Sequence, residues 1–243
     1  MSTRIVLVGY GQMGRELHKA AEAAGCEIVG IHDVESPFAD RDTAYDVAIE
    51  FTEPSSVIQN VKIAAEHGRN IVIGTTGWYD HLGEVRAIQE KAGIGVLYGS
   101  NFSIGVQMFF RLVEEAGRLV NNVEDYDAML HEYHHRRKKD SPSGTAHTAA
   151  ERLLGAIDRK THVTTEAQHD QIDANALHVS STRGGDVIGD HTVCFAADGE
   201  RVEITHKASG RQIYAAGAVR AALWTKGRGP GFYSMNDVLG IKI

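Results

Sequence analysis

The sequence predicts an α/β chain in which a doubly wound parallel sheet is joined to a second α+β domain with a mostly antiparallel open sheet. Three observations predict it. Up to Phe102, continuous apolar runs alternate with helical stretches, the pattern of βαβ units whose strands are buried on both faces. The first run leads into Gly9-Tyr10-Gly11-Gln12-Met13-Gly14, a glycine turn that lets backbone approach a phosphate at a helix N-terminus. Beyond Ser103 apolar and polar residues alternate singly, as in a sheet with one wet face.

Taken in order, residues 4–8 form an apolar strand, and residues 15–24 are helical by propensity and stop at Gly25. A second strand spans 27–32 and ends at Asp33, 19 residues after Gly14. A lone GxGxxG is a weak signal. Here it follows a strand, opens a helix and is answered by a carboxylate at the next strand end, which is the Rossmann-type dinucleotide-binding context. Asp33 is placed to accept the ribose hydroxyls. Residues 45–52 read as a strand, 54–67 as a helix with Pro54 in its first turn, and 70–74 as a strand. Gly74-Thr75-Thr76-Gly77 follows, then a helix near 80–92 and a strand over 94–98 ending in Gly99-Ser100-Asn101-Phe102. Both loops fall where strands end, the edge at which open α/β sheets bind ligands.

The second domain opens with a helix over 104–119, with Met108, Phe109, Leu112 and Val113 expected in its core. Tyr126, Ala128 and Leu130 then alternate with polar neighbours, a strand that carries His131 out of the domain. Residues 144–157 are helical, 161–175 loop-like, and 178–182, 191–196 and 201–206 read as strands. A helix over 212–224 and a tail over 231–243 return to the first domain. The domains are therefore expected at 1–102 with 212–243, and at 103–211.

Composition narrows the function. A formal charge of -7 argues against nucleic acid, because a phosphate backbone demands a basic face. Two cysteines, Cys26 and Cys194, without paired spacing signal neither a disulfide framework nor a thiolate metal site. No apolar run reaches membrane-span length, and a cytoplasmic protein with no membrane partner is expected.

The densest chemistry lies in His134-His135-Arg136-Arg137-Lys138-Lys139-Asp140-Ser141-Pro142-Ser143-Gly144-Thr145. Four adjacent cations repel one another, so the run suits a small anionic ligand. A histidine donates protons near neutrality, and a lysine crowded by Arg136, Arg137 and Lys139 is expected to be a stronger acid than usual. Ser143-Gly144-Thr145 at a helix start offers amides and hydroxyls for a carboxylate. Residues 131–135 also spell HExxH, a zinc pattern when helical. On a strand, His131 and His135 stand about 13 Å apart, too far for one ion, and no metal is expected. A dinucleotide site with a proton donor and a carboxylate cradle describes hydride transfer to a small acid.

These residues resemble the 4-hydroxy-tetrahydrodipicolinate (dihydrodipicolinate) reductase family of lysine biosynthesis. The resemblance covers the whole chain: the glycine loop, Gly74-Thr-Thr-Gly77, Asn101-Phe102-Ser103, the His134 to Ala146 block, Arg183-Gly-Gly-Asp-Val-Ile-Gly-Asp-His191, Ile204-Thr-His-Lys-Ala208 and Gly217-Ala-Val-Arg220 fall in the family's order. It implies His134 as proton donor, Lys138 as second catalytic residue, and a dicarboxylate substrate held by His135, Ser143, Gly144 and Thr145. It implies cofactor contacts at Gly9, Tyr10, Gly11, Gln12, Met13, Gly14, Asp33, Gly74, Thr75, Thr76, Tyr98, Gly99, Ser100, Asn101 and Phe102, and a homotetramer built through the second domain. Val34 follows the acidic position, where members that use NADPH well often carry a cation, so NADH is expected over NADPH, with Arg41 or a lysine elsewhere as a further source of charge. Another two-domain dehydrogenase acting on a small dicarboxylic acid would keep the glycine loop without needing the His-His…Lys…Ser-Gly-Thr set. A nucleotide sensor with a dead site should have lost the His/Lys pair.

Overall fold

The computed structural model describes residues 2–39 and 44–241. Arg41 lies outside them. The chain begins β1 (Arg4–Val8), α1 (Gln12–Ala23), β2 (Glu27–His32), β3 (Val47–Glu50), α2 (Val57–Glu66), β4 (Asn70–Ile73), α3 (Leu82–Ala92) and β5 (Gly95–Tyr98). It continues through α4 (Ile104–Asn121), β6 (Asp127–His134), α5 (Gly144–Ala156), β7 (His162–Thr164), β8 (Ala176–Arg183), β9 (Gly189–Ala197) and β10 (Glu200–Ala208). It closes with α6 (Gln212–Lys226), β11 (Gly231–Tyr233) and α7 (Met235–Val238). Two units divide it: Met1–Ile104 with Arg211–Ile243, and Gly105–Gly210.

In the first unit the strands lie in the order β11-β5-β4-β3-β1-β2, every pairing parallel. Alternate residues of each central strand serve opposite faces. Ile5, Leu7, Val47, Ile49, Val72 and Leu97 pack with Leu17 and Ala21 of α1 and the alanine-rich face of α6. Val6, Val8, Ala48, Ile71, Ile73 and Val96 pack with Val57, Val61 and Val85 of α2 and α3. This two-sided burial is why the strands read as unbroken apolar runs. From β1 the chain first adds β2 on one side and then β3 on the other, so the order reverses between β1 and β3, and a crevice opens at their carboxyl ends. α6 seats closely because Gly217 has no Cβ: one placed there would lie 1.8 Å from the Phe102 carbonyl oxygen.

The expected elements are present with shifted ends. α1 begins three residues before Arg15 because the glycine turn is already helical from Gln12. Residues 54–56 form a 3₁₀ turn rather than the start of α2. β11 adds to β5 and Met235 and Val238 enter the first core.

The second unit is a mixed sheet in the order β10-β9-β6-β8-β7. A mostly antiparallel sheet is the sequence expectation; here β10-β9 and β9-β6 are antiparallel, while β6-β8 and β8-β7 are parallel. The cause is the α5 crossover, which returns the chain to the same end of the sheet. β7 lies inside the stretch read as loop. One face of the sheet, through Ala128, Leu130, Leu177, Val179, Val193 and Phe195, packs under α4 and α5. On α4 the buried stripe is Val106, Phe109, Phe110, Val113 and Gly117, spaced three and four apart. Met108 and Leu112, expected inside, fall off that stripe and are 57% and 55% exposed.

Candidate active site

In the first unit the reversal of strand order gathers three adjoining clefts. A cleft of ≈ 640 Å³ is lined by Gly9, Tyr10, Gly11, His32, Asp33, Val34, Phe51, Thr52 and Asn60, among others. A second, ≈ 500 Å³, is bounded by Gly11, Gln12, Met13, Phe51, Thr52, Pro54, Gly74, Thr75 and Thr76. A third, ≈ 210 Å³, lies between Met13, Phe51, Gly74, Ser100, Asn101, Phe102 and Tyr214. Most of the residues expected to hold a cofactor thus line one connected edge.

The glycines divide the labour by geometry. Gly9 has φ +96, and a Cβ there would sit 2.0 Å from the Phe51 carbonyl oxygen; one on Gly14 would sit 2.2 Å from the Gly9 carbonyl oxygen. Those two allow strand, turn and helix to touch. A Cβ on Gly11 meets no atom within 4 Å, so its missing side chain leaves room for a ligand, and the residues fit a dinucleotide's pyrophosphate. Gly74 clears the Phe51 ring, which a Cβ would meet at 2.0 Å. Tyr98 packs instead against Trp78, Tyr79 and Phe232, and neither it nor Gly99 lines the three clefts.

No motif in the sequence marks Glu50, which is fully buried at the end of β3. Its carboxyl accepts from the Thr52 amide at 3.0 Å and hydroxyl, from Thr75 Oγ1 at 3.1 Å and from Asn60 Nδ2 at 3.4 Å, bracing the two loops that border the second cleft. Burial pushes its pKa up, against these hydrogen bonds. At the rim, Asp33 and Val34 are exposed, Val34 at 96%.

The second unit builds its polar centre on β6. The strand alternates, with Ala128, Leu130, Glu132 and His134 buried. Glu132 and His134 thus share the core face, and His131 points to the other, its Nδ1 2.6 Å from Ser180 Oγ. The helical HExxH geometry is absent. Glu132, with no exposed surface, accepts from Arg183 Nη2 at 2.7 Å, Ser181 Oγ at 2.8 Å and the Ser143 amide at 3.1 Å. Its Oε2 lies 3.5 Å from His134 Nδ1 and 3.4 Å from His191 Nε2. Burial raises a carboxyl pKa, but the hydrogen bonds from His191, Ser143, Arg183 and Ser181 outweigh it and hold Glu132 well below the usual carboxylate range. Ligand-type atoms of Glu132, His134 and His191 lie within 4.8 Å of one another; the Arg183 guanidinium already neutralises that carboxylate.

His134 is 6% exposed. Burial pushes its pKa down to about 4, with the charges of His191, Lys138 and Arg183 adding and Glu132 opposing. Its backbone is tied to the glycine loop after β8: the Gly184 amide donates to the His134 carbonyl at 2.9 Å and the His135 amide to Val187 at 2.7 Å. Gly189 makes room for the ring, since a Cβ there would sit 2.8 Å from His134 Nε2. Lys138, expected to be crowded by Arg136, Arg137 and Lys139, is paired with Asp140 at 2.8 Å, and Arg137 with Asp186 at 2.8 Å. Arg137 and Lys138, two of the four cations in the run, are thus paired with carboxylates of the same chain. Ser143, expected to meet a carboxylate, is 2% exposed, and its hydroxyl accepts from the Ala146 amide and contacts His191 Nε2 at 3.0 Å. It caps α5. Gly144 is exposed and Thr145 half-buried at the start of that helix.

A parallel sheet with a glycine turn answered by Asp33, joined to a mixed sheet with a buried acid-base cluster, defines a nucleotide-binding oxidoreductase of two units. Residues 3–102 match the family model for the N-terminus of dihydrodipicolinate reductase and 105–239 the model for its C-terminus. The chain belongs to the dihydrodipicolinate reductase family. It is 41% identical over 236 residues to a 4-hydroxy-tetrahydrodipicolinate reductase of Akkermansia muciniphila, covering 95% of each chain. It is 40% identical over 271 residues to one from Chromobacterium violaceum, covering 100% of each. Among solved structures, the dipicolinate-bound dihydrodipicolinate reductase from Paenisporosarcina sp. TG-14 shares the fold with a TM-score of 0.75 at 19% identity, covering 96% of this chain and 98% of that one.

Proposed function

We propose that this chain reduces 4-hydroxy-tetrahydrodipicolinate to tetrahydrodipicolinate with loss of water, in the diaminopimelate route of lysine biosynthesis, using NADH in preference to NADPH. The observation that carries the reading is full-length similarity, at about 40% identity, to reductases of that name. The edge from Gly9 to Gly14, with Gly74, Thr75, Thr76, Ser100, Asn101 and Phe102, would hold the cofactor, with Asp33 on its ribose. When bound, the reduced nicotinamide supplies the hydride to C4 of the substrate ring. His134 delivers the proton to C3 of the resulting enamine, with Lys138 as its partner, and His135 and the first-turn backbone of α5 at Gly144 and Thr145 hold a substrate carboxylate.

The NADH preference rests on Asp33, whose charge repels a 2′-phosphate, and on Val34 beside it. The same reading places the enzyme in the cytoplasm as a homotetramer built through the second unit, whose outer sheet face exposes Met129 and Tyr133. No helix among the described residues is long and apolar enough to cross a membrane.

The test is loss of reduced-nicotinamide absorbance when the purified protein meets freshly generated substrate, with NADH and NADPH in parallel. Faster oxidation of NADH, abolished in Lys138→Ala, is expected. No oxidation with either donor would reject the substrate, and tighter NADPH than NADH binding would reject the preference. Comparison of His134→Gln with Lys138→Ala separates donor from binder: loss of turnover with retained substrate binding marks the donor.

A further inference from the structure

Glu132 is a buried acid that the proposed reaction does not use, yet within the second unit it touches both the donor histidine and the start of α5. Through Oε1 it holds the Ser143 amide at the entry to α5 and Arg183 at the mouth of the glycine loop that carries the His134 backbone. Its Oε2 faces His134 Nδ1 and His191 Nε2. His134 Nδ1 is buried and has no hydrogen-bond partner of good geometry, so the carboxylate oxygen 3.5 Å away is the acceptor available to it. A proton held on Nδ1 by that oxygen leaves Nε2, the nitrogen nearest Gly189, as the one that gains and gives a proton.

We propose that Glu132 is the positioning residue of the proton donor: its carboxylate fixes the tautomer and placement of His134 and, through Ser143, the start of the helix that receives the substrate carboxylate. This rests on the reading of His134 as donor. The charged groups that face the His134 ring are Glu132 on its own strand, Arg183 on β8, His191 on β9 and Lys138 on the following loop. Three of these oppose an imidazolium, and Glu132 alone favours it. Without Glu132, a dianionic substrate would have to overcome Lys138, Arg183 and burial by itself.

Two variants separate charge from reach. Glu132→Gln keeps an oxygen for the Ser143 amide and Arg183 but turns an amide donor toward His134 Nδ1, which favours the wrong tautomer. Glu132→Asp keeps the charge and withdraws it by one methylene. The readouts are NADH affinity as a check on the first unit, kcat and KM, and titration of the His134 ring followed by NMR of histidine-labelled protein, assigned with His134→Gln.

In Glu132→Gln, NADH affinity is expected to be unchanged, kcat to fall about tenfold or more with KM within about threefold, and His134 to titrate at lower pH than in the native protein. In Glu132→Asp, KM is expected to rise as well, because the Ser143 amide loses its acceptor. Unchanged kcat and unchanged His134 titration in Glu132→Gln would overturn the proposal. So would failure of both variants to fold, which would assign Glu132 to stability alone. If the native protein shows no turnover with this substrate, the reductase reading fails, while the NMR titration still decides whether Glu132 governs His134.

Discussion

Single atoms carry most of the chemistry, and the glycines show it best. Gly9, Gly11 and Gly14 look equivalent in sequence, yet a Cβ collides with Phe51 at the first, with Gly9 at the third and with no atom within 4 Å at the second. Gly11→Ala is therefore expected to melt within a few degrees of the native protein and to bind NADH at least about tenfold more weakly, because only the ligand's space is filled. Gly9→Ala, strained at φ +96, is expected to lower the melting temperature strongly; scanning fluorimetry and NADH titration of the pair check both. Gly189 is the counterpart in the second unit. A Cβ there pushes on His134 Nε2, and Gly189→Ala is expected to reduce kcat with NADH affinity unchanged. The charge at the cleft rim can be tested in the same way: Val34→Arg is expected to improve NADPH binding relative to NADH, because it supplies a cation beside Asp33.

At the scale of the element, α4 separates apolar composition from burial. Phe109 and Val113 lie on the stripe that faces the sheet, and Met108 and Leu112 lie off it. Phe109→Ala is expected to cost about 3–5 kcal/mol and Met108→Ala within about 0.5 kcal/mol, measured by urea unfolding. The reverse order would mean that Met108 is covered in solution, as a subunit contact on this helix would do. On β6 the same alternation is legible in the residues themselves. Ala128 and Leu130 set the inward register, and two steps further along it stand Glu132 and His134. An acid at an inward position of a strand is a signal for a functional residue, because burying a carboxylate requires partners.

Over the whole molecule, acid should weaken the second unit through its histidines. His131, His134 and His206 all have pKa values lowered by burial, His134 to about 4. Unfolded, each takes up a proton near pH 6.5, so the unfolded chain binds more protons below that value and stability falls as pH drops from about 6.5 toward 4. Glu132, held low in the folded state, adds a loss that continues below its ordinary range. Denaturant midpoints between pH 7 and 4.5 are expected to decline, and less steeply in His134→Gln. A flat profile would show that these rings are solvated.

The sequence by itself determined the first sheet, the glycine turn with Asp33, the family, and the strand that carries the histidines, because period, turn chemistry and motif are local properties of the chain. It did not determine the parallel pairing of β6 with β8, the exposure of Met108, the capping role of Ser143, or the carboxylates that pair with Arg137 and Lys138. Those depend on residues far apart in the chain, such as Glu132 with Arg183 and His191, and Thr52 with Thr75. A buried charge is settled by whichever partners the folded backbone brings within about 3 Å, and only the tertiary structure decides which those are.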